Sequence, residues 1–222
     1  NDGFVLKEGD DMKIGIIGSG RVGYSMGKYM QDHGIRVTGF YDRHRERALD
    51  AAQFTGTDSF DRIEDLVAAS DTLFLTTSDG EIANVWDCIR HLSIQGKIIC
   101  HFSGSLSSDQ FQGIEKTRAY GLSIHPMLAF SDKYTSYKQL QNAFFTLEGH
   151  AQALAVMEPL LQKMGNPVQR IAPEQKALYH AAAATLSNQV VALLASGYEM
   201  LEACGFDTEN ARRASAAASY TH

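Results

Sequence analysis

The run KIGIIGSGRVG, Lys13 to Gly23, restricts the possible folds more than any other part of the chain. It joins β-branched residues suited to a strand buried on both faces to three glycines spaced G-x-G-x-x-G. Val22, Met26 and Met30 then follow at four-residue steps with Gly34 as a stop, which predicts a helix over Arg21 to His33. In a chain with 19 glycines the spacing alone says little. Its meaning comes from the strand before, the helix after, and an acid about 20 residues further on. That acid is Asp42, nineteen positions past Gly23, at the end of a second predicted strand, Ile35 to Tyr41.

Such a turn is built to hold a dinucleotide. Gly18 ends the strand, Gly20 lets the backbone approach a pyrophosphate, and Gly23 allows close helix-to-sheet packing. Ser19, Arg21 and Val22 complete the turn, and the free amides at the helix start attract phosphate. Asp42 is placed to accept hydrogen bonds from the adenosine ribose, which favours NAD. Arg43, in a basic cluster with His44, Arg45 and Arg47, suits the 2′-phosphate of NADP. NAD(P) is therefore the expected cofactor, with the choice between its two forms open. S-adenosylmethionine methyltransferases place an acid just before their glycines, where this chain has Ile16 and Ile17, so that reading ranks a distant third.

The rest of the first three quarters alternates strand and helix. Helices are predicted over Arg43 to Gln53, Ile63 to Ala69, Glu81 to Leu92 and Ala151 to Met164. Strands are predicted at Asp71 to Thr76, Lys97 to His101, Tyr120 to Ile124, Ala143 to Leu147 and Pro167 to Ile171. Alternation of this kind predicts an α/β fold, a doubly wound and mostly parallel Rossmann sheet. From Pro173 onward the signals are helical only, so the boundary is drawn there: a dinucleotide-binding domain over 12–172 and a smaller all-helical domain over 173–222. The alanine-rich segment Glu174 to Ala203 reads as one helix of about 45 Å at 1.5 Å per residue, followed by a Gly205 stop and a last helix over Asp207 to Ala218.

Composition closes off several alternatives. A net charge of -6 gives no basic footprint for nucleic acid. No apolar run reaches the length of a membrane helix. Cys88, Cys100 and Cys204 lack zinc-like spacing and read as buried thiols in a reducing cytoplasm, with no metal site expected. Residues 1–11 lack the pattern of a signal peptide, and Met12 suits a native start.

Ligands of doubly wound sheets sit beyond the carboxyl ends of the strands, so substrate-side candidates should follow strands. Thr76, Thr77 and Ser78 follow the third clear strand and could line the cofactor's second ribose. Ser103 and Gly104, in HFSGSLSS, would lie near the nicotinamide and hold a substrate carboxylate or carbonyl. His125, locked by Pro126 at a strand end, has a side-chain type that moves protons near neutral pH. On the long helix Lys176, His180 and Ser187 recur at steps of four and seven with Asn188 adjacent, a polar face suited to a cleft.

Together the glycine turn, Ser103-Gly104, His125-Pro126-Met127 and the helix bearing Lys176, Tyr179, His180, Ser187 and Asn188 resemble a family of two-domain, Rossmann-like NADP oxidoreductases whose C-terminal helical domain has no assigned function (DUF2520 type). That family is similar in turn to pyrroline-5-carboxylate reductases, 3-hydroxyisobutyrate dehydrogenases and prephenate dehydrogenases. The resemblance implies that His125 meets the substrate and that Lys176 matches the lysine of hydroxyisobutyrate-type enzymes. His180 stands where those enzymes carry asparagine. It also implies a helical domain that continues beyond His222.

The resulting expectation is a cytoplasmic enzyme that moves hydride between nicotinamide and a small hydroxy- or imino-acid-like substrate. His125 or Lys176 would exchange the proton, with Ser103, His180 and Asn188 beside them. The alternative is a module that binds NAD(P) without turning it over. The apolar positions Leu178, Leu186, Val190, Leu193 and Leu194 exceed what the residues after them can cover, so a homodimer through the C-terminal helices is expected.

Overall fold

The computed structural model describes residues 12–219. Its contacts divide the chain into two compact units, residues up to Ala177 and residues from Leu178 onward.

The first unit is built on an eight-stranded sheet in the order β3-β2-β1-β4-β5-β6-β7-β8. The strands are β1 (Lys13–Ile17), β2 (Arg36–Tyr41), β3 (Asp58–Ser59), β4 (Thr72–Leu75), β5 (Ile98–His101), β6 (Tyr120–Pro126), β7 (Phe145–Gly149) and β8 (Val168–Arg170). The helices are α1 (Arg21–Asp32), α2 (Arg45–Thr55), α3 (Ile63–Ala69), α4 (Asp79–Ile89) and α5 (Ala151–Lys163). All neighbouring strands are parallel except β6 and β7. The predicted doubly wound, mostly parallel sheet is therefore what forms.

Burial explains why the strands read as continuous apolar runs. One core packs Ile14, Ile16, Phe40, Phe74 and Leu122 with Met26 and Met30 of α1, Ala48 of α2 and Leu161 of α5. The other packs Ile17, Leu73, Leu75 and Ile99 with Leu66 of α3 and Ile82, Trp86 and Ile89 of α4. Each large side chain buried this way contributes roughly 1.5–3 kcal/mol, and both faces of the central strands are used.

Several expectations are corrected at element ends. α2 begins at Arg45, two residues later than expected, because Asp42 Oδ1 accepts the His44 amide at 2.9 Å and holds a turn there. The strand at Tyr120 runs on through Pro126, whose missing N–H is tolerated at a strand end. The 127–144 connection contains only a short 3-10 segment, Ser136–Asn142, and returns the chain antiparallel to β6. The two-residue β3 and the 3-10 turns at Ser108–Gln110 and Ile114–Lys116 carry too little periodicity to be read from sequence.

The second unit is helical. α6 starts in the first unit and spans Lys176–Ala184, a π-helical turn takes Thr185–Gln189, and α7 continues over Val190–Ala203. The expected single α-helix is thus interrupted. Lys176 and His180 keep their four-residue step within α6, whereas Ser187 and Asn188 lie in the wider π turn and depart from uniform α-helical steps. α7 ends as the sequence signals: Gly205 has φ +87°, its amide bonds to Glu202 O at 2.9 Å, and Phe206 N bonds to Leu201 O at 3.1 Å. Asp207 Oδ1 caps α8 (Thr208–Ser219) by accepting Asn210 N at 2.7 Å. Tyr198 and Ser215 hydroxyls meet at 3.1 Å between α7 and α8, and Ala211 is fully buried.

Candidate active site

β1 has β2 on one side and β4 on the other, so the strand order reverses direction at the β1/β4 boundary. That is where doubly wound sheets open a crevice at their carboxyl ends. The turn after β1 is tied to its surroundings on every side. Gly18 N bonds to Tyr41 O at 2.8 Å, Ser19 N to Asp42 Oδ2 at 2.7 Å, and Thr76 Oγ1 donates to Gly18 O at 2.6 Å. Gly18 sits at φ +104°, a conformation side chains rarely adopt. A Cβ on Gly23 would collide with the Gly18 carbonyl and lie 2.7 Å from Thr76 Oγ1. At Gly20 the nearest atom to such a Cβ is 3.9 Å away, so that side of the turn is open. Gly20 also caps α1 without any side-chain hydrogen bond, and the first turn of the helix carries no acid.

A cavity of about 420 Å³ lies over this turn. Gly18, Ser19, Gly20, Asp42, Arg43, Thr76, Thr77 and Ser78 line it, together with Tyr41, Arg47, Ile63, Glu81, Asn84, Val85 and Cys88. Arg21, Val22, Gly23 and Ser103 are outside its lining. Arg21 is exposed, with its guanidinium 3.5 Å from Ser131 O, and Gly23 is buried beneath the turn. The apolar wall of Ile63 and Val85 comes from α3 and α4, two helices whose shared surface has no mark in the local sequence.

The chemistry of the lining fits a dinucleotide. Ser19 Oγ and Thr77 Oγ1 are both buried and have no hydrogen-bond partner, a costly state unless a ligand supplies acceptors. Uncapped amides of α1 lie at the same edge and favour an anion. Asp42 differs from expectation in one respect. Its two oxygens already accept the Ser19 and His44 amides, so its carboxylate shapes the turn directly.

A second constellation lies at the carboxyl ends of β5 and β6. Ser103 is 4% exposed, and its hydroxyl donates to Asp79 Oδ2 at 2.7 Å while accepting Leu106 N at 3.0 Å. Lys176, the first residue of α6, is only 2% exposed. Its ammonium donates to Ser103 O and to Ser123 Oγ, both at 2.8 Å. Burial lowers its pKa from 10.5 to about 8, a fall limited by the negative charges of Glu148 and then Asp79.

His125 is half-buried on β6, opposite Thr146 of β7 and two residues from Ser123, which places both on one face of the sheet. His180, Ser187 and Asn188 belong to the second unit and are exposed. The Ser187 hydroxyl donates to Ala183 O at 2.7 Å.

Sequence reasoning missed His101 and Glu148. His101 is fully buried at the end of β5, and burial lowers its pKa to about 4. Its Nε2 lies 2.9 Å from Ser107 O and its Nδ1 accepts Ser103 N at 3.3 Å, which assigns the neutral tautomer with the proton on Nε2. Glu148 is 2% exposed and accepts both Ser108 N at 2.7 Å and Ser108 Oγ at 2.6 Å. A polar residue alternating within an otherwise apolar strand, as in KIICH and FTLEG, was the one available signal.

Residues 12–92 match the oxidoreductase family with an NAD-binding Rossmann fold. Residues 143–217 match a domain of unknown function, DUF2520, and this match begins just before β7, so it takes in β7, α5 and β8 as well as the helices. No curated protein sequence matches the chain significantly. Among solved structures, a Bacteroides fragilis protein provisionally assigned as an NADP oxidoreductase is similar at a TM-score of 0.74 and 20% identity, over 90% of this chain and 76% of that one. An imine reductase from Pseudomonas sp. aligns at 0.75 and 18%, over 94% and 72%. A reductive aminase from Aspergillus terreus, solved with NADPH and ethyl-5-oxohexanoate, aligns at 0.70 and 17%, over 94% and 74%. The chain is thus, by class, a Rossmann-fold NAD(P)-dependent oxidoreductase. More particularly, it pairs that fold with a C-terminal region of the DUF2520 type.

Among the described residues no helix is long and apolar enough to cross a membrane.

Proposed function

We propose that the protein transfers hydride between C4 of a bound nicotinamide and the carbon of a small polar imine, hydroxy acid or imino acid, with Lys176 exchanging the proton. The observation that carries this reading is the buried ammonium of Lys176 at the carboxyl ends of β5 and β6, with a pKa brought down to about 8. A proton donor is most effective when its pKa lies near the working pH. The dinucleotide supplies the hydride when bound. The chain holds its pyrophosphate on the uncapped amides at the start of α1 and on the two unpaired hydroxyls, Ser19 Oγ and Thr77 Oγ1. Lys176 fixes the Ser103 carbonyl and carries the proton, and His125, on the same sheet face as Ser123, is assigned to contact the substrate.

NADP is favoured over NAD. Arg43 and Arg47 both line the cavity, while the Asp42 oxygens already hold two backbone amides. A guanidinium pair suits a 2′-phosphate. Arg43→Ala is expected to weaken NADP binding about tenfold and leave NAD binding nearly unchanged.

The test of the reaction is Lys176→Met assayed with NADPH and a cyclic imine. Turnover is expected to fall by at least about 100-fold, the usual contribution of a positioned acid, with NADPH affinity retained. Equal turnover in wild type and variant would remove Lys176 from the reaction. Binding without turnover of any imine, keto or hydroxy acid would favour a module that only binds the cofactor.

Leu178, Leu186, Val191, Leu193 and Met200, each between 66% and 75% accessible, are among the apolar side chains exposed on the second unit. We assign this apolar surface to a homodimer contact, since patches of several hundred Å² are rare on monomers. Light scattering reads the mass. A monomer at micromolar concentration would remove the assignment.

A further inference from the structure

The buried row His101, Ser123 and Glu148 crosses three adjacent strands in register, His101 beside Ser123 and Ser123 beside Glu148. Register partners project to the same face about 5 Å apart, so the Ser123 hydroxyl that receives Lys176 has an imidazole on one side and a carboxylate on the other. We propose that Glu148 is a positioning residue for this site, clamping the 101–108 loop through Ser108 and holding Lys176 in its charged form. This rests on the reading of Lys176 as the proton carrier.

The geometry gives Glu148 both tasks. Its two oxygens take the amide and the hydroxyl of Ser108, which ties β7 to the loop that presents the Ser103 carbonyl to Lys176. A charge buried this deeply persists only when paired and hydrogen-bonded, and water does not screen it. The other groups facing Lys176 act less strongly. Asp79, at the start of α4, is exposed and already binds the Ser103 and Ser105 hydroxyls. His101 is neutral, and His125 is two residues further along β6.

The test is a titration that needs no substrate, so it stands or falls separately from hydride transfer. Lysine labelled with carbon-13 at the ε position is followed by NMR in the full chain, with the Lys176 signal assigned by its loss in Lys176→Met. The wild-type midpoint is expected near 8. Glu148→Gln can keep both contacts to Ser108 and removes only the charge, so the midpoint is expected to fall by about one pH unit. Glu148→Asp keeps the charge one methylene back and is expected to leave the midpoint within about half a unit of wild type. An unmoved midpoint in a folded Glu148→Gln protein overturns the proposal. So does a fall of about one unit or more in Glu148→Asp, which applies even if the Gln variant does not fold.

Discussion

Lys176→Met should alter stability in a way that reverses with pH. Lys176 has a folded pKa of about 8 against an unfolded value of 10.5. A lysine depressed in this way destabilises the fold while it is charged in both states, so the full penalty applies below about pH 8. It is relieved as the pH rises toward 10.5, where the unfolded chain also loses its proton. The fall corresponds to about 3 kcal/mol at 1.36 kcal/mol per pH unit. Methionine removes that penalty but leaves Ser103 O and Ser123 Oγ without this donor, at about 1 kcal/mol each. The variant should therefore be more stable than wild type by about 1 kcal/mol at pH 7 and less stable by about 2 kcal/mol at pH 10.5. Urea melts followed by Trp86, the single tryptophan and 1% exposed, measure both values. A stability difference that is the same at the two pH values would refute the buried, charge-bearing state of Lys176.

The other sites give simpler outcomes. His101, held near 4 by burial against an ordinary 6.5, binds a proton in the unfolded chain first, so stability is lost as pH falls from about 6.5 toward 4. His101→Gln should flatten that part of the curve by up to about 3 kcal/mol, read from melts at pH 7 and 4.5. Gly23→Ala puts a Cβ against the Gly18 carbonyl and Thr76 Oγ1, so a loss of about 1–3 kcal/mol and a matching loss of dinucleotide affinity are expected by thermal melting and fluorescence titration. Asp42→Ser releases the Ser19 amide, so it should weaken both NAD and NADP. A rise in NADP affinity would instead show that the carboxylate acts mainly by repelling the 2′-phosphate.

The dinucleotide half of the site was legible because its chemistry is local. Gly18, Gly20 and Gly23 are demanded by contacts within one strand-turn-helix unit, and Asp42 ends the next strand. The sheet was legible for a related reason, since strands such as TLFL and IICH are buried along their whole length. Much of the proton-handling half was not. His101, Ser123 and Glu148 meet only through the pairing of β5, β6 and β7, and nothing local foretells that β7 runs antiparallel to β6. Lys176 was visible as a lysine opening an alanine-rich helix, but its burial depends on the Ser103 carbonyl, 73 residues away in sequence. The Thr185–Gln189 π turn was invisible as well, because ring size in a helix leaves no mark on apolar periodicity over so short a stretch.

Hydride passing from a dinucleotide held at the β1/β4 crevice to a substrate carbon beside Lys176 leaves an isotopic label in the product. Incubating the protein with NADPH deuterated at C4 and a panel of small cyclic imines and keto acids with ammonia, then weighing the reduced products, tests that transfer directly. One deuterium per product molecule is expected in wild type, with NADPH bound but almost no labelled product in Lys176→Met. Tight NADPH binding with no deuterium in any product, or equal labelling by wild type and Lys176→Met, would contradict it.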